Sequence, residues 1–144
     1  MQRVAAEMSS SFGGEFAPVS VIDGDTSTIC ASQLGTNEWV SVRVPSGTPI
    51  GYVSVYNRLD NVDAQAFLSP FEIWVGTSFG DVSSSAYRCA EVSVAPGPGP
   101  FVVPCRGTTA GAYVTLRQTG DARYLTIAEL EVCELLMPSP PSPP

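Results

Sequence analysis

The feature that most constrains the fold of this chain is an alternation of apolar and polar residues with a period of two. In WVSVRVP, Val40, Val42 and Val44 fall on one face of an extended chain, and Ser41 and Arg43 fall on the other. The same period recurs at 50–58, 71–76, 112–118 and 124–132. Because successive side chains of a β-strand point to opposite faces, the pattern predicts half-buried strands, and no helix-length window holds the 3.6-residue period.

Turn-forming segments separate the candidate strands. SGTP, PGPGP, GTTAG and TGDAR are rich in the residues that favour tight turns, and two shorter strand candidates lie at 91–94 and 101–105. Short strands at this density are typical of an antiparallel sandwich or barrel. A length of 144 residues is that of one domain. We therefore predict an all-β protein built as an antiparallel β-sandwich.

Charge and the absence of histidine exclude several classes of function. The chain has seven arginines, no lysine, fourteen acidic residues and a net charge of −7, which argues against binding to nucleic acid. The sequence contains no histidine, so serine–histidine and cysteine–histidine catalytic pairs and histidine-bearing zinc sites are excluded. No apolar run approaches the ~20 residues that span a bilayer, so we predict no membrane insertion.

Two segments of different composition divide the chain. Residues 1–136 mix the alternating pattern with glycine, serine and proline, and we assign them to the globular domain. The tail MPSPPSPP, residues 137–144, has five prolines in eight positions and is predicted to be an extended polyproline II segment or the start of a stalk. Ser-Pro-Pro repeats of this kind resemble the hydroxylated and glycosylated stalks of volvocine algal extracellular glycoproteins.

Four cysteines lie too far apart in the sequence for a Cys-x-x-Cys motif. They stand at positions 30, 89, 105 and 133. An even number of dispersed cysteines in a chain without histidine favours two disulfides formed in an oxidising, extracellular compartment. The alternative is four buried thiols in a cytosolic protein. Four cysteines allow three pairings, and their spacing alone does not select one.

A potential metal-binding loop lies near the start of the chain. In IDGDTST, Asp23 and Asp25 flank Gly24, so two carboxylates and nearby carbonyls could converge on a calcium ion, although Asp-Gly-Asp is also a common turn. In YLTIAELEV the apolar phase changes at Ala128, which places Glu129 where an apolar side chain is expected. A buried carboxylate needs a partner, and a cation held by the loop would supply one.

Several segments in order resemble the F-type lectins (fucolectins), a branch of the galactose-binding-like jelly rolls that includes discoidin domains. They are IDGD, WVSV, YNRLD, IWVG, GAYV and LTIAELEV, spread over about residues 6–134. The resemblance implies the disulfides Cys89–Cys105 and Cys30–Cys133. It also implies a structural Ca2+ held by Asp23, Asp25 and Glu129 with backbone carbonyls near Ser20 and Ala128.

The resemblance places a sugar site at YNRLD, after a predicted strand. Arg58 and Asp60 match the family's Arg-x-Asp, but Gln65 stands where a second basic residue is expected, Asn61 and Val62 replace a cysteine pair, and the family's histidine is missing. We therefore expect a site that is degenerate for fucose. A salt bridge between Arg58 and Asp60 that only pins the loop is the competing interpretation.

Together these features predict a non-catalytic, extracellular carbohydrate-recognition module. Its partner would be a glycan or a neighbouring extracellular glycoprotein. The alternative keeps the fold and makes the domain a structural protein–protein assembly module of an extracellular matrix, cell wall or ciliary surface. No nucleophile–base pair is found in the sequence, so we do not expect an enzyme.

Overall fold

The computed structural model describes residues 2–47, 49–105 and 112–135. Within these ranges the chain forms ten β-strands and three short 3-10 helices. The strands are β1 Ala5–Met8, β2 Cys30–Ala31, β3 Trp39–Arg43, β4 Ile50–Tyr56, β5 Phe71–Gly76, β6 Tyr87–Val92, β7 Phe101–Pro104, β8 Tyr113–Gln118, β9 Thr126–Ile127 and β10 Glu129–Glu134. The helices are η1 Gly14–Phe16, η2 Pro18–Ile22 and η3 Asp63–Phe67.

Two antiparallel sheets form the body of the domain. The larger has five strands in the order β1-β3-β8-β5-β6, and the smaller has three in the order β10-β4-β7. A two-stranded sheet, β2-β9, accompanies them. Every strand pair in these sheets is antiparallel. Apolar residues of both larger sheets are buried in one shared cluster, which confirms the predicted antiparallel β-sandwich.

The strand faces agree with the alternation read from the sequence. Val40 and Val42 of β3 and Val53 and Val55 of β4 are fully buried, while Tyr52 faces outward. Strands β1 and β2 were not predicted. β1 consists of AAEM and lacks β-branched residues, and β2 has only two residues, too few to show a period. The 3-10 helices were also missed, because single turns carry no periodic signal.

The change of apolar phase at Ala128 marks a change of sheet. β9 ends at Ile127 and pairs with β2, whereas β10 begins at Glu129 and pairs with β4. Ile127 and Leu130 are three residues apart and would face opposite sides of one continuous strand. Because Ala128 separates the two strands, both side chains enter the core. The backbone amide of Ala128 donates to the carbonyl of Tyr56 (2.8 Å), which carries the chain from one sheet to the next.

One of the two predicted disulfides is present. Cys89 of β6 and Cys105, just after β7, are bonded, with their Cα atoms 4.8 Å apart, so this bridge links the edges of the two large sheets. The predicted pair Cys30–Cys133 is wrong, and the fold carries one disulfide where two were expected. Cys30 is fully buried in the core, while Cys133 shares the outer face of β10 with Glu131, so the two thiols lie on opposite sides of a sheet.

Two further expectations concern the ends of the chain and membranes. The boundary at residue 136 and the tail 137–144 lie outside the described residues. Among the described residues no helix is long and apolar enough to cross a bilayer.

Candidate functional site

Arg58 and Asp60 stand on the loop that leaves β4. Arg58 Nε donates to Asp60 Oδ1 and Arg58 Nη2 donates to Asp60 Oδ2, both at 2.7 Å. No hydrogen bond from Arg58 Nη1 is found in the part of the chain that the structure describes. The Arg58 hydrogen bond lowers the pKa of the Asp60 carboxyl. This two-point contact holds the guanidinium plane and leaves one of its nitrogens available to a ligand.

Asn57 anchors the loop that carries this pair. Its side chain is fully buried, and Nδ2 donates to the carbonyls of Gln65 (2.9 Å) and Gly97 (3.0 Å), while Oδ1 accepts from the Arg58 amide (2.9 Å). The amide thus ties the end of β4 to η3 and to the 96–100 loop. This role was not predicted from the sequence, although a polar residue directly after an alternating strand is a signal that could have suggested it.

Gln65 lies beneath the loop. It is buried, and its Nε2 donates to the Arg58 carbonyl at 2.9 Å. The structure therefore places Gln65 behind the backbone of Arg58, where it positions the arginine. It does not line the cavity that Arg58 lines.

A cavity of about 310 Å³ opens beside Arg58. Four aromatic residues from distant parts of the chain form much of its wall. They are Phe12, Phe16, Phe67 and Tyr124. The Phe12 ring meets Phe16 and Tyr124 edge to face, with centroids 5.8 Å and 6.1 Å apart. The Phe67 and Tyr124 rings are tilted toward each other, with centroids 6.0 Å apart. The cavity is thus apolar on several sides and has a cationic group at its edge.

Thr126 lines this cavity with a hydroxyl that lacks a partner. The residue is 3% exposed, and its Oγ1 is buried without a hydrogen bond in the described structure. Buried hydroxyls are almost always paired, so this enclosed hydroxyl is a candidate partner for a ligand hydroxyl once the side chain turns toward the cavity. No pattern in the sequence marks Thr126 as a site residue.

Two polar side chains hold the aromatic wall in place. Gln118 is fully buried, and its Nε2 donates to the carbonyls of Phe67 (2.6 Å) and Tyr124 (2.9 Å). Arg123 Nη2 also donates to the Phe67 carbonyl, at 2.8 Å. On the other side, the Phe12 amide donates to the Ala31 carbonyl at 2.8 Å. The aromatic residues are therefore set by backbone contacts, which favours a preformed cavity.

Four aromatic residues at strand positions lie elsewhere. Tyr52 and Tyr56 are on the outer side of β4, Trp39 packs against Gly80, and Trp74 donates to Glu72 at 3.2 Å. None of these four lines the cavity beside Arg58. The residues that do line it come mainly from irregular segments, and such segments have no periodicity from which a shared wall could be read.

The carboxylates of the Asp-Gly-Asp loop are bound within their own loop. Asp23 accepts from the Asp25 amide (2.9 Å) and from Thr28 Oγ1 (2.6 Å). Asp25 accepts from the amide (2.8 Å) and hydroxyl (2.6 Å) of Ser27, which lower the pKa of its carboxyl. Gly24 has a φ of 74°, the left-handed conformation that suits glycine at a turn. The loop is thus a self-contained Asx-type turn.

Glu129 is buried and bound to a cation that the sequence analysis did not consider. Its Oε2 lies 2.6 Å from Arg3 Nη1, and the Gly24 amide lies 3.3 Å from both carboxylate oxygens. Burial raises the pKa of the Glu129 carboxyl, while the Arg3 contact opposes that change. Ser20 is buried within η2, and Ala128 joins β9 to β10.

This arrangement does not fit a calcium ion. Arg3 occupies the position beside Glu129, the two aspartates face their own loop, and no group of three or more acidic, cysteine or histidine side chains meets within residues 2–47, 49–105 and 112–135. Calcium binding by Asp23, Asp25 and Glu129, with the carbonyls near Ser20 and Ala128, stays a prediction. We assign the ion no part in the site.

The fold is that of fucolectins and of discoidin-like carbohydrate-binding modules. A fucolectin from the serum of striped bass, Morone saxatilis, matches with a TM-score of 0.75 and 23% identity, over 91% of this chain and 46% of that one. This chain thus spans about half of that lectin. The lectin domain of lectinolysin, complexed with Lewis B antigen, matches with a TM-score of 0.76 and 21% identity, over 92% and 93% of the two chains.

A third similar structure is a CBM32 module from Clostridium perfringens in complex with GalNAc-β-1,3-galactose. Its TM-score is 0.72 and its identity 16%, over 89% of this chain and 93% of that one. No protein-family profile and no curated protein sequence matches the chain. At these identities the comparisons establish the fold, and the function must be argued from the cavity.

Proposed function

We propose that this domain is a non-catalytic carbohydrate-recognition module and that its ligand binds in the cavity beside Arg58. The similar structures include modules described in complex with Lewis B antigen and with GalNAc-β-1,3-galactose, which supports a glycan as the ligand class. The proposal does not rest on that likeness alone, because the fold by itself does not determine a function.

The observation that carries the proposal is the combination of an aromatic wall with two unused polar groups. A sugar ring has an apolar face of C–H groups and an edge of hydroxyls. The apolar face packs on aromatic rings such as Phe12 and Tyr124, and the hydroxyl edge needs hydrogen-bond donors and acceptors in fixed positions. Arg58 Nη1 would donate to a sugar oxygen. The Thr126 hydroxyl is enclosed, and it would exchange a hydrogen bond with another sugar oxygen after its side chain turns toward the cavity.

The same cavity supports a site that is degenerate for fucose. The resemblance to fucolectins implies a histidine and a second basic residue, but the chain has no histidine and has Gln65 at the second position. The Gln65 amide is committed to the Arg58 carbonyl. Arg58 is therefore the one cationic side chain among the described residues that line the cavity, and a single guanidinium offers a sugar fewer contacts.

We also propose that the domain is extracellular. The Cys89–Cys105 disulfide is of the kind that persists in oxidising compartments. Hydroxylation of the proline-rich tail and a place in an algal cell wall or ciliary surface remain predictions from the sequence.

A glycan array probed with the full chain tests the proposal, and calorimetry with the best sugar quantifies it. Thr126→Val keeps the side-chain shape and removes the hydroxyl, and Phe12→Ala removes part of the wall. We expect each to weaken binding about tenfold or more, the equivalent of one lost hydrogen bond or stacking contact. The control is Val62→Ala, at an exposed position outside the cavity lining, which should bind like the wild type.

A second candidate function is assembly with neighbouring protein copies. It is favoured by the outer face of the β10-β4-β7 sheet, where Tyr52 is 41% exposed and Val102 is 59% exposed on adjacent strands. Two results together would replace the lectin proposal with this one. The wild type would bind no glycan on the array, and it would self-associate in a concentration-dependent way in sedimentation, which Tyr52→Ser would abolish.

A further inference from the structure

A buried contact joins the start of the chain to its last strand. Arg3 Nη1 lies 2.6 Å from Glu129 Oε2, 2.8 Å from the Leu130 carbonyl and 3.1 Å from the Val21 carbonyl. Three oxygens from η2 and β10 thus surround one nitrogen of the guanidinium. The partners are 18, 126 and 127 residues from Arg3 in the sequence, so the contact joins the segment before β1 to both η2 and β10.

These oxygens form an environment that demands a positive charge. The Glu129 side chain is 2% exposed, and two carbonyl oxygens add partial negative charge beside it. The Gly24 amide contributes only long contacts of 3.3 Å to the carboxylate. A buried carboxylate without a cation is strongly unfavourable, and a guanidinium is the side-chain cation that best satisfies several oxygens at once.

The environment is also one that an oxygen-coordinated metal ion could occupy in other proteins. A carboxylate and backbone carbonyls are calcium's preferred ligand types, and the fold resemblance implies calcium at this loop. Here the Arg3 side chain, 15% exposed, reaches the same oxygens from the segment that precedes β1. Asp23 and Asp25, which would complete a metal site, instead bind Thr28 and Ser27.

We propose that Arg3 is the resident cation of this junction, so that its guanidinium takes the structural part that a calcium ion would play. The N-terminal segment then locks η2 against β10, and the folded domain needs no calcium for its stability. This proposal goes beyond carbohydrate recognition, since the junction residues do not line the cavity beside Arg58.

Thermal unfolding of the full chain tests the proposal in the wild type first. Samples in EDTA, in millimolar calcium and in millimolar magnesium should melt within about 1 °C of one another, because a ligand raises the melting temperature only if it binds the folded state. A rise of several degrees with calcium alone that EDTA reverses would overturn the proposal, and this measurement needs no variant to fold.

Variants of Arg3 provide the second arm. Arg3→Met keeps the length of the side chain and removes its charge, and we expect it to lower the melting temperature by about 5 °C or more. Arg3→Lys keeps a cation and should lose less than half as much. The matched control is Arg43→Met, at an exposed position of β3, for which we expect a change of about 1 °C or less.

Outcomes of the variant arm are also distinct from those of the sugar experiment. If Arg3→Met melts like Arg43→Met, the guanidinium is not the stabilising cation and the proposal fails, whatever the glycan array shows. If Arg3→Met is destabilised and calcium does not change the melting temperature of the wild type, the proposal stands, even if no glycan on the array is bound.

Discussion

Arg58 and Asp60 face each other through two parallel hydrogen bonds of 2.7 Å, a fork-to-fork contact at the end of β4. The Arg58 side chain is 15% exposed and that of Asp60 is 52% exposed. A pair that is open to solvent on its acidic side contributes little to stability, because water screens it. Its value is geometric, since Asp60 fixes the plane in which Arg58 presents its remaining nitrogen.

Replacing Arg58 should therefore affect binding more than folding. We expect Arg58→Ala to change the free energy of unfolding by less than about 1 kcal/mol, measured by urea denaturation, and to abolish glycan binding. Arg58→Lys should fold normally and bind weakly, because an ammonium cannot make the two-point contact with Asp60. A loss of about 3–5 kcal/mol with unchanged sugar affinity would show that Arg58 is structural only.

The pH dependence of the site follows from the lowered pKa of Asp60. A carboxyl whose pKa is lowered on folding contributes stability above its unfolded pKa of about 3.9, and this contribution is lost as the pH falls through the lower folded value. We expect the Asp60 carboxyl, followed by carbon-13 NMR, to titrate below 3.9. In Arg58→Ala the midpoint should return toward the ordinary value; an unchanged midpoint would contradict the ion pair.

The two thiols should differ sharply in reactivity. Burial raises the pKa of the Cys30 thiol to about 12, so it stays protonated and inaccessible in the folded domain. Cys133 is partly exposed on the outer face of β10. A thiol reagent should label one cysteine in the native protein and two after denaturation without reductant. Cys133→Ser should remove the native label, and a linked Cys30–Cys133 peptide in non-reducing digests would contradict this arrangement.

Asn57 should be the most sensitive polar residue of the loop. Asn57→Ala leaves the buried carbonyl of Gln65 and the partly buried carbonyl of Gly97 without their donor, so we expect a loss of about 1–3 kcal/mol in the free energy of unfolding. It should also weaken sugar binding, because Arg58 loses its support. The control is Asn61→Ala, at an exposed position where the side chain accepts from the Ala64 amide, which should cost less than Asn57→Ala in chemical denaturation.

Much of the fold could be predicted because strand patterning is local. The valines of β3 and β4 show which face is buried, and the odd phase around Ala128 and Glu129 revealed that a carboxylate enters the protein there. The candidate site was only partly predictable. Arg58 and Asp60 are two residues apart and form a recognisable motif, whereas Phe12, Phe67 and Tyr124 lie on separate segments that share a wall only after folding.

The sequence by itself determined that this chain is an antiparallel β-sandwich, that Glu129 is buried and needs a cationic partner, and that Arg58 is presented after a strand. The tertiary structure alone decided which partners meet. It pairs Arg3 with Glu129 and Cys89 with Cys105. It leaves Cys30 and Cys133 unbonded, and it places Gln65 behind the Arg58 backbone, outside the cavity lining. The physical reason is that the side-chain period is set within a few residues, whereas contacts between separate segments depend on how the sheets pack and which faces they bury.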